Sequence, residues 1–350
     1  MLSPLSSHRR RRLLSLMSSA VLAAGLPRLA LPAAEAATPE LGSTAPDGVF
    51  PRTVRHWAGS TAIGQPPKRV AVLSTGQADG LLTLGVVPAG ATRDDRGALI
   101  SDYLLQAYPE HKAALSQVMD LGTRQSADVE AVAALQPDLI LVNRTATPPA
   151  ILAQYQRIAP TVVTRGTGFH WRADFVLLAD ALGRREAAER WLQDFVQRGQ
   201  AFGRWFAAQQ EAGADASTSS SSLPTGISFV QAGGGRIRLM GQQSFIGDIT
   251  KDMMLPRPPS QQFGRTSQDI GIERIDMADG QWVFYAARGD GVKVFLDSPL
   301  WKHLHAVQAN KAVRVDYDAF YMNAGPTAAR TVMDTLTQVL APDGFSGERP

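Results

Sequence analysis

Between Arg185 and Gln210 apolar residues recur at intervals of three and four, with one gap: Ala188, Trp191, Leu192, Phe195, Phe202, Trp205 and Phe206. No strand-like alternation interrupts them. The spacing predicts one amphipathic helix of about 26 residues, ~39 Å long at 1.5 Å per residue. A helix of that length is long for the interior of a small lobe. The segments before and after it are therefore expected to fold as separate blocks held by a common strut.

Both blocks read as α/β. Upstream, Lys68 and Arg69 lead into Val70–Leu73, a continuous apolar run of the kind that forms buried parallel strands. Ser74–Gly76 is expected to turn, Asp79–Leu84 to form a short helix ended by Gly85, and Val86–Ala91 to return as a strand. The unit recurs as a strand over Gln117–Asp120, a loop over Gly122–Gln125 and a helix to Leu135 with Ser126 as its N-cap. Strands Leu139–Val142 and Thr161–Val163 follow, separated by a helix closing at Tyr155–Ala159. Phe175, Leu178 and Leu182 mark a helix ended by Gly183.

Downstream, Ile227–Val230 and Arg236–Met240 flank three glycines as a hairpin. Phe245–Met254 reads as a helix, Trp282–Tyr285 and Ala312–Val315 as strands, and Pro326 as the first position of a final helix. Strands alternating with helices imply mainly parallel sheets. The expected fold class is α/β, with two doubly wound, Rossmann-like lobes bridged by one long rigid helix. The expected divisions are a first lobe over 53–170, a helical pair over 171–212, a flexible Ser-rich loop over 213–225 and a second lobe over 226–345.

The amino-terminal 37 residues read as a cleaved signal peptide. Arg9–Arg12 precede a weakly apolar stretch to Leu31, and Ala34-Glu35-Ala36 has the small-x-small form of a cleavage site. Pro27, Arg28 and Pro32 break the apolar run short of a membrane span. Consecutive arginines before two leucines resemble the twin-arginine signal, with an ordinary secretory signal as the alternative. Residues 38–52 are expected as a loose leader.

This segment also carries most of the positive charge. It holds five arginines against one glutamate, so the remaining chain has a formal charge of −1 rather than +3. That argues against a nucleic-acid partner. The 350 residues include no cysteine. Disulfides, thiolate metal sites, a cysteine nucleophile and a lipid-modified cysteine are thereby excluded. A soluble, monomeric protein of the Gram-negative periplasm is expected.

Several phrases, in order, carry a resemblance: Pro67–Leu73, Leu81–Gly90, Asp128-Val129-Glu130 with Leu135–Ile140, Gly241–Asp248 and Asp297–Trp301. Over roughly residues 65–342 the chain resembles the helical-backbone periplasmic binding proteins for ferric siderophores and cobalamin, with the ferric hydroxamate branch nearest. The resemblance implies a non-enzymatic protein with no cofactor. It would hold a ferric siderophore between its lobes and deliver it to an ABC-type permease of the inner membrane. Such a ligand brings its iron already coordinated, so the protein would supply aromatic faces and cationic donors rather than metal ligands.

Arg124 lies between a strand end and a helix start, where open α/β sheets bind ligands; the resemblance implies that it contacts iron-bound oxygens. The resemblance also implies an aromatic ligand loop at Phe263 and Arg265 and an aromatic pair at Phe320 and Tyr321. Phe263 stands where a tryptophan is usual. Where the family places a second contact tyrosine, this chain has Asn143-Arg144-Thr145, which favours a more anionic chelate through Arg144. Ser74, Thr75 and Gln77 are further polar candidates at the first strand's end. Glu130 and Glu273, each near a helix start, are expected from the resemblance to dock on permease arginines; an acid in a first helical turn is otherwise explained by the helix dipole.

Alternatives remain within and beyond this fold. No Gly-x-Ser-x-Gly elbow, phosphate-binding Walker loop or His-Glu-x-x-His occurs, which argues against an enzyme. A zinc or manganese transport protein needs about three histidines and a carboxylate. Here His56, His111, His170, His303 and His305 are scattered. Cobalamin, and haem through a tyrosine such as Tyr103, Tyr108, Tyr285, Tyr317 or Tyr321, stay open.

Overall fold

The computed structural model describes residues 40–345, apart from 95–96, 167, 213–223, 234–235, 290–291 and 293–294, and without the Thr75 side chain. The expected signal peptide and nearly all of the Ser-rich loop lie outside the described residues.

A hairpin, β1 (Arg52–His56) and β2 (Gly59–Ile63), leads into the first lobe. There β3 (Val70–Val72), β4 (Gly90–Arg93), β5 (Met119–Thr123), β6 (Ser126–Ala127), β7 (Leu139–Asn143) and β8 (Thr161–Thr164) form one sheet in the order β6-β5-β4-β3-β7-β8. All neighbours are parallel except β6, which folds back on β5. Val70, Leu139, Ile140 and Leu141 are fully buried, as a central strand covered on both faces requires. The covering helices are α1 (Thr75–Thr83), α2 (Asp102–Ala107), α3 (Lys112–Leu115), α4 (Val129–Leu135), α5 (Pro149–Ile158) and α6 (Trp171–Ala181). The chain leaves β3 in one direction to build β4 and β5 and returns to its other side for β7 and β8. The order reverses between β3 and β7, and a doubly wound sheet opens its ligand crevice at that point.

The strut is α7 (Arg185–Ala212), 28 residues long or about 42 Å. Its first half packs on α6, where Trp191 stacks on Phe195 at 5.2 Å and both meet Trp171 edge-on. Its second half reaches the other lobe. At Gly203 a Cβ would sit 2.5 Å from the Met253 carbonyl oxygen, so only glycine lets the backbones come this close.

The second lobe holds β9 (Ile227–Gly233), β10 (Arg236–Met240), β11 (Ser267–Ile270), β12 (Trp282–Ala287) and β13 (Ala312–Arg314), in the order β11-β10-β9-β12-β13. β9, β12 and β13 are parallel; β10 and β11 are antiparallel additions through the hairpin. Its helices are α8 (Phe245–Asp252), α9 (Pro299–Lys302), α10 (His305–Gln308) and α11 (Pro326–Leu340).

Side chains join the lobes at two further places. Arg172 of α6 donates to Asp248 (2.7 Å) and Asp252 (2.5 Å), both on α8, and the Trp171 indole N–H donates to Asp248. On the other side, the fully buried Asp79 of α1 caps α11, accepting from Thr327 N–H (2.7 Å), Ala328 N–H (2.9 Å) and the Tyr103 hydroxyl (2.7 Å). Burial pushes the Asp79 carboxyl above its ordinary range, and these hydrogen bonds oppose that shift.

Four local expectations are corrected. The segment from Glu40 to Pro51 is no loose leader. Arg52 is buried in an ion pair with Asp180 (2.8 Å), Asp180 also accepts from Ser43 N–H, and Asp47 accepts from the first N–H groups of α7. α1 begins at Thr75 rather than Asp79, so Gly76 is a helical residue. Its lack of a side chain admits the Ala324 carbonyl oxygen, 2.8 Å from where a Cβ would stand. The strand expected over Val86–Ala91 starts only at Gly90, where Leu121 and Leu135 fill the space of a Cβ. Asp128, not Ser126, caps α4, accepting from Glu130 N–H and Ala131 N–H, because Ser126 is engaged in β6.

Candidate ligand-binding cleft

The carboxyl ends of β3, β7 and β8 open into a cleft with a cavity volume of about 170 Å³. Its opposite wall is the segment entering α11, with Met322, Ala324, Gly325 and Pro326. Both lobes therefore contribute, at the crevice predicted by the reversal of strand order.

Ser74 follows β3 and borders this space, and Gln77 lies one helical turn on with 6% exposure. Thr75 opens α1, and its side chain lies outside the described residues. Arg124 also lines the cleft. It sits in the two-residue turn between β5 and β6, held by its N–H donating to the Arg93 carbonyl (3.1 Å). Asn143, at the end of β7, accepts from the Thr145 N–H (2.8 Å) and hydroxyl (2.6 Å). Asn143 lines the cleft, whereas Arg144, the residue expected to meet an anionic chelate, is exposed and does not border it.

The aromatic candidates fall elsewhere. Phe320 is 1% exposed, packed in the core by a π-type turn over Asp318–Met322, and is corrected to a core residue. Tyr321 packs beside it and donates its hydroxyl to the Phe284 carbonyl (3.0 Å); burial pushes its phenol pKa up. It lines no part of this cleft. Phe263 and Arg265 precede β11 in the second lobe. There the guanidinium covers the ring at 5.3 Å and donates to Gln268, and the pair stands apart from the cleft.

The sequence reading missed Thr164, Trp171 and Asp174. Asp174 sits in the first turn of α6 and borders the cleft. Its oxygens accept from the Arg165 N–H (2.8 Å) and Gly166 N–H (2.7 Å), which ties the loop after β8 to the helix. Burial pushes its carboxyl up to about 6, against the pull of these two N–H groups and Arg165. An acid in a first turn reads in sequence as a helix-dipole partner. Only the neighbouring position of β8 and β7 reveals that this loop faces ligand space. Glu130 and Glu273 are exposed, away from the cleft, on α4 and on the 3₁₀ segment Ile272–Ala278.

Among the described residues no group of three or more His, Asp or Glu side chains is arranged to hold a metal ion. No helix among them is long and apolar enough to cross a membrane.

The chain is similar to the probable siderophore-binding lipoprotein YfiY of Bacillus subtilis, 28% identical and covering 81% of this chain and 86% of that protein. It is also similar to the Fe(3+) dicitrate-binding periplasmic protein FecB of Escherichia coli, 25% identical over 82% and 90% of the two chains. Among solved structures, Staphylococcus aureus SirA complexed with staphyloferrin B superposes with a TM-score of 0.67 at 24% identity, covering 82% of this chain and 98% of that one. The family profile described as periplasmic binding protein matches residues 70–319, from the first strand of the crevice to the turn before α11, and the chain belongs to that family.

Proposed function

We propose that this protein is the non-catalytic capture component of an ABC-type importer, and that its inter-lobe cleft takes an iron(III) siderophore. One observation carries the reading: a cleft at the strand-order reversal, walled by both lobes, is lined by the Arg124 guanidinium, the Asp174 carboxyl and neutral hydrogen-bonding groups. Those groups suit a preformed chelate, which offers anionic oxygens and needs no further metal ligand. The printed functions of YfiY and FecB support the same ligand class.

Trp171 borders the cleft, so intrinsic fluorescence reports occupancy. The mature protein is titrated with ferric hydroxamates, ferric citrate, ferric catecholates, cobalamin, haem and zinc. Saturable quenching by a ferric siderophore is expected. Binding of zinc alone overturns the ligand class.

The exposed Glu130 and Glu273, one per lobe, are the contacts to basic side chains of the permease under this reading. Glu130→Arg leaves ligand affinity unchanged and abolishes iron uptake by cells; normal uptake in that variant removes the residue from the docking surface. Residues 1–37 direct export to the Gram-negative periplasm by the twin-arginine route. N-terminal sequencing of the exported protein, and its retention in the cytoplasm when Arg10 and Arg11 are changed to lysine, test that assignment.

A further inference from the structure

The first-lobe wall of the cleft contains a buried acceptor with no donor. Gln77 Nε2 donates to the Thr164 hydroxyl oxygen (3.2 Å), and that hydroxyl donates to the Val142 carbonyl (3.1 Å). Thr164 has one hydroxyl proton, and the Val142 carbonyl takes it. Thr164 can therefore only accept from Gln77. This fixes the orientation of the amide: its nitrogen faces Thr164, and Oε1 is the atom left over. Gln77 is 6% exposed, and among the described residues nothing donates to Oε1. A buried amide oxygen is nearly always met by a donor in a native protein, so one without a partner on a cleft wall points to a ligand group.

A second acceptor borders the same cleft. The Asp174 carboxylate is held in place by the two backbone N–H groups after β8, one on each oxygen. Each oxygen retains a second lone pair. Asn143 Oδ1, by contrast, already accepts twice from Thr145.

We propose that Gln77 and Asp174 make the cleft select chelates that carry a hydrogen-bond donor (an amide N–H, an amine or a free hydroxyl) in addition to the anionic oxygens met by Arg124. The inference rests on the capture of an iron(III) chelate argued above and narrows its chemical class. A donor-free chelate leaves Gln77 Oε1 without a donor, as it is in the free protein. A donor-bearing one completes it.

The test uses the mature protein and two iron(III) complexes of citrate-based chelators, one with secondary amide N–H groups and one with the same amides N-methylated. Fluorescence titration is expected to show the N–H complex binding about tenfold more tightly, the scale of one buried hydrogen bond. In Gln77→Leu that preference collapses toward unity, and Asp174→Asn narrows it. Equal affinities of the wild-type protein for both complexes, with Arg124→Ala weakening both, overturn the donor selection and leave chelate capture standing. Failure of both complexes and of every ferric siderophore to bind overturns the underlying reading, and with it the inference.

Discussion

At the carboxyl end of the first sheet, one guanidinium, Arg124, shares a cleft with Ser74, Gln77, Asn143, Thr164 and Asp174. At the carboxyl end of the second sheet, Arg236 and Arg238 border a smaller hollow with Gln231 and Tyr317, and Arg288 lies 3.5 Å above the Tyr317 ring. The second region has more cations, yet carboxylates of its own lobe hold them. Asp269 takes Arg238 (2.8 Å) and Arg236 (3.7 Å), and Asp318 takes Arg288. Counting arginines in the sequence therefore does not measure how many cations a region offers an anion, because carboxylates of the same lobe engage those of the second region.

The largest expected effect comes from the residue that fixes the two regions relative to each other. Asp79→Ala leaves the Tyr103 hydroxyl and two N–H groups of α11 without their acceptor. It is expected to lower stability by about 3–5 kcal/mol in urea unfolding. A loss below about 1 kcal/mol would show that the Asp79 cap contributes little to holding the lobes together.

Asp174 gives a pH signature with a definite sign. Its carboxyl is raised from 3.8 to about 6, so between these values the folded protein binds more protons than the unfolded chain. Its contribution to stability is fully present below about pH 4 and is lost as pH rises through about 6. The amplitude is up to about 3 kcal/mol. Asp174→Asn flattens that part of the stability–pH curve, as thermal unfolding across pH 4–7 will show. An unchanged slope assigns the titration to another group.

The comparison of the two regions is sharpened by a pair of truncations. Arg124→Ala is expected to weaken ferric-siderophore binding by about 2 kcal/mol, the scale of a charge-assisted hydrogen bond, without unfolding the protein. Arg238→Ala is expected to cost under about 0.5 kcal/mol in affinity, because it removes a partly exposed pair internal to the second lobe. A reversed order of the two effects would move the anion-binding region to the second sheet.

The strut and the buried strands were legible because periodicity and uninterrupted apolar runs are local signals. Arg185–Ala212 and Leu139–Asn143 follow directly from them. Arg124, Ser74 and Gln77 were reachable as positions near strand ends. What stayed hidden depends on contacts distant in sequence. Gly76 reads as a turn residue, yet it lies within α1, where Ala324 of the other lobe occupies the space a side chain would need. Phe320 reads as a ligand-facing aromatic, but a single π-type turn carries it into the core. Asp174 and Thr164 enter the cleft only because β8 lies beside β7, and no local pattern encodes that neighbourhood.

The capping of α11 by Asp79 also governs when the protein can become whole. The carboxylate belongs to the first helix of the first lobe, and the N–H groups it accepts from belong to α11, 248 and 249 residues later. During synthesis the first lobe can assemble its sheet, but its α1 keeps an unfilled carboxylate until Thr327 and Ala328 have emerged. The opposite wall of the cleft arrives with the same segment. A chain stopped before Pro326 would therefore be incomplete in both lobes at once, and the cleft can form only after this segment has been made.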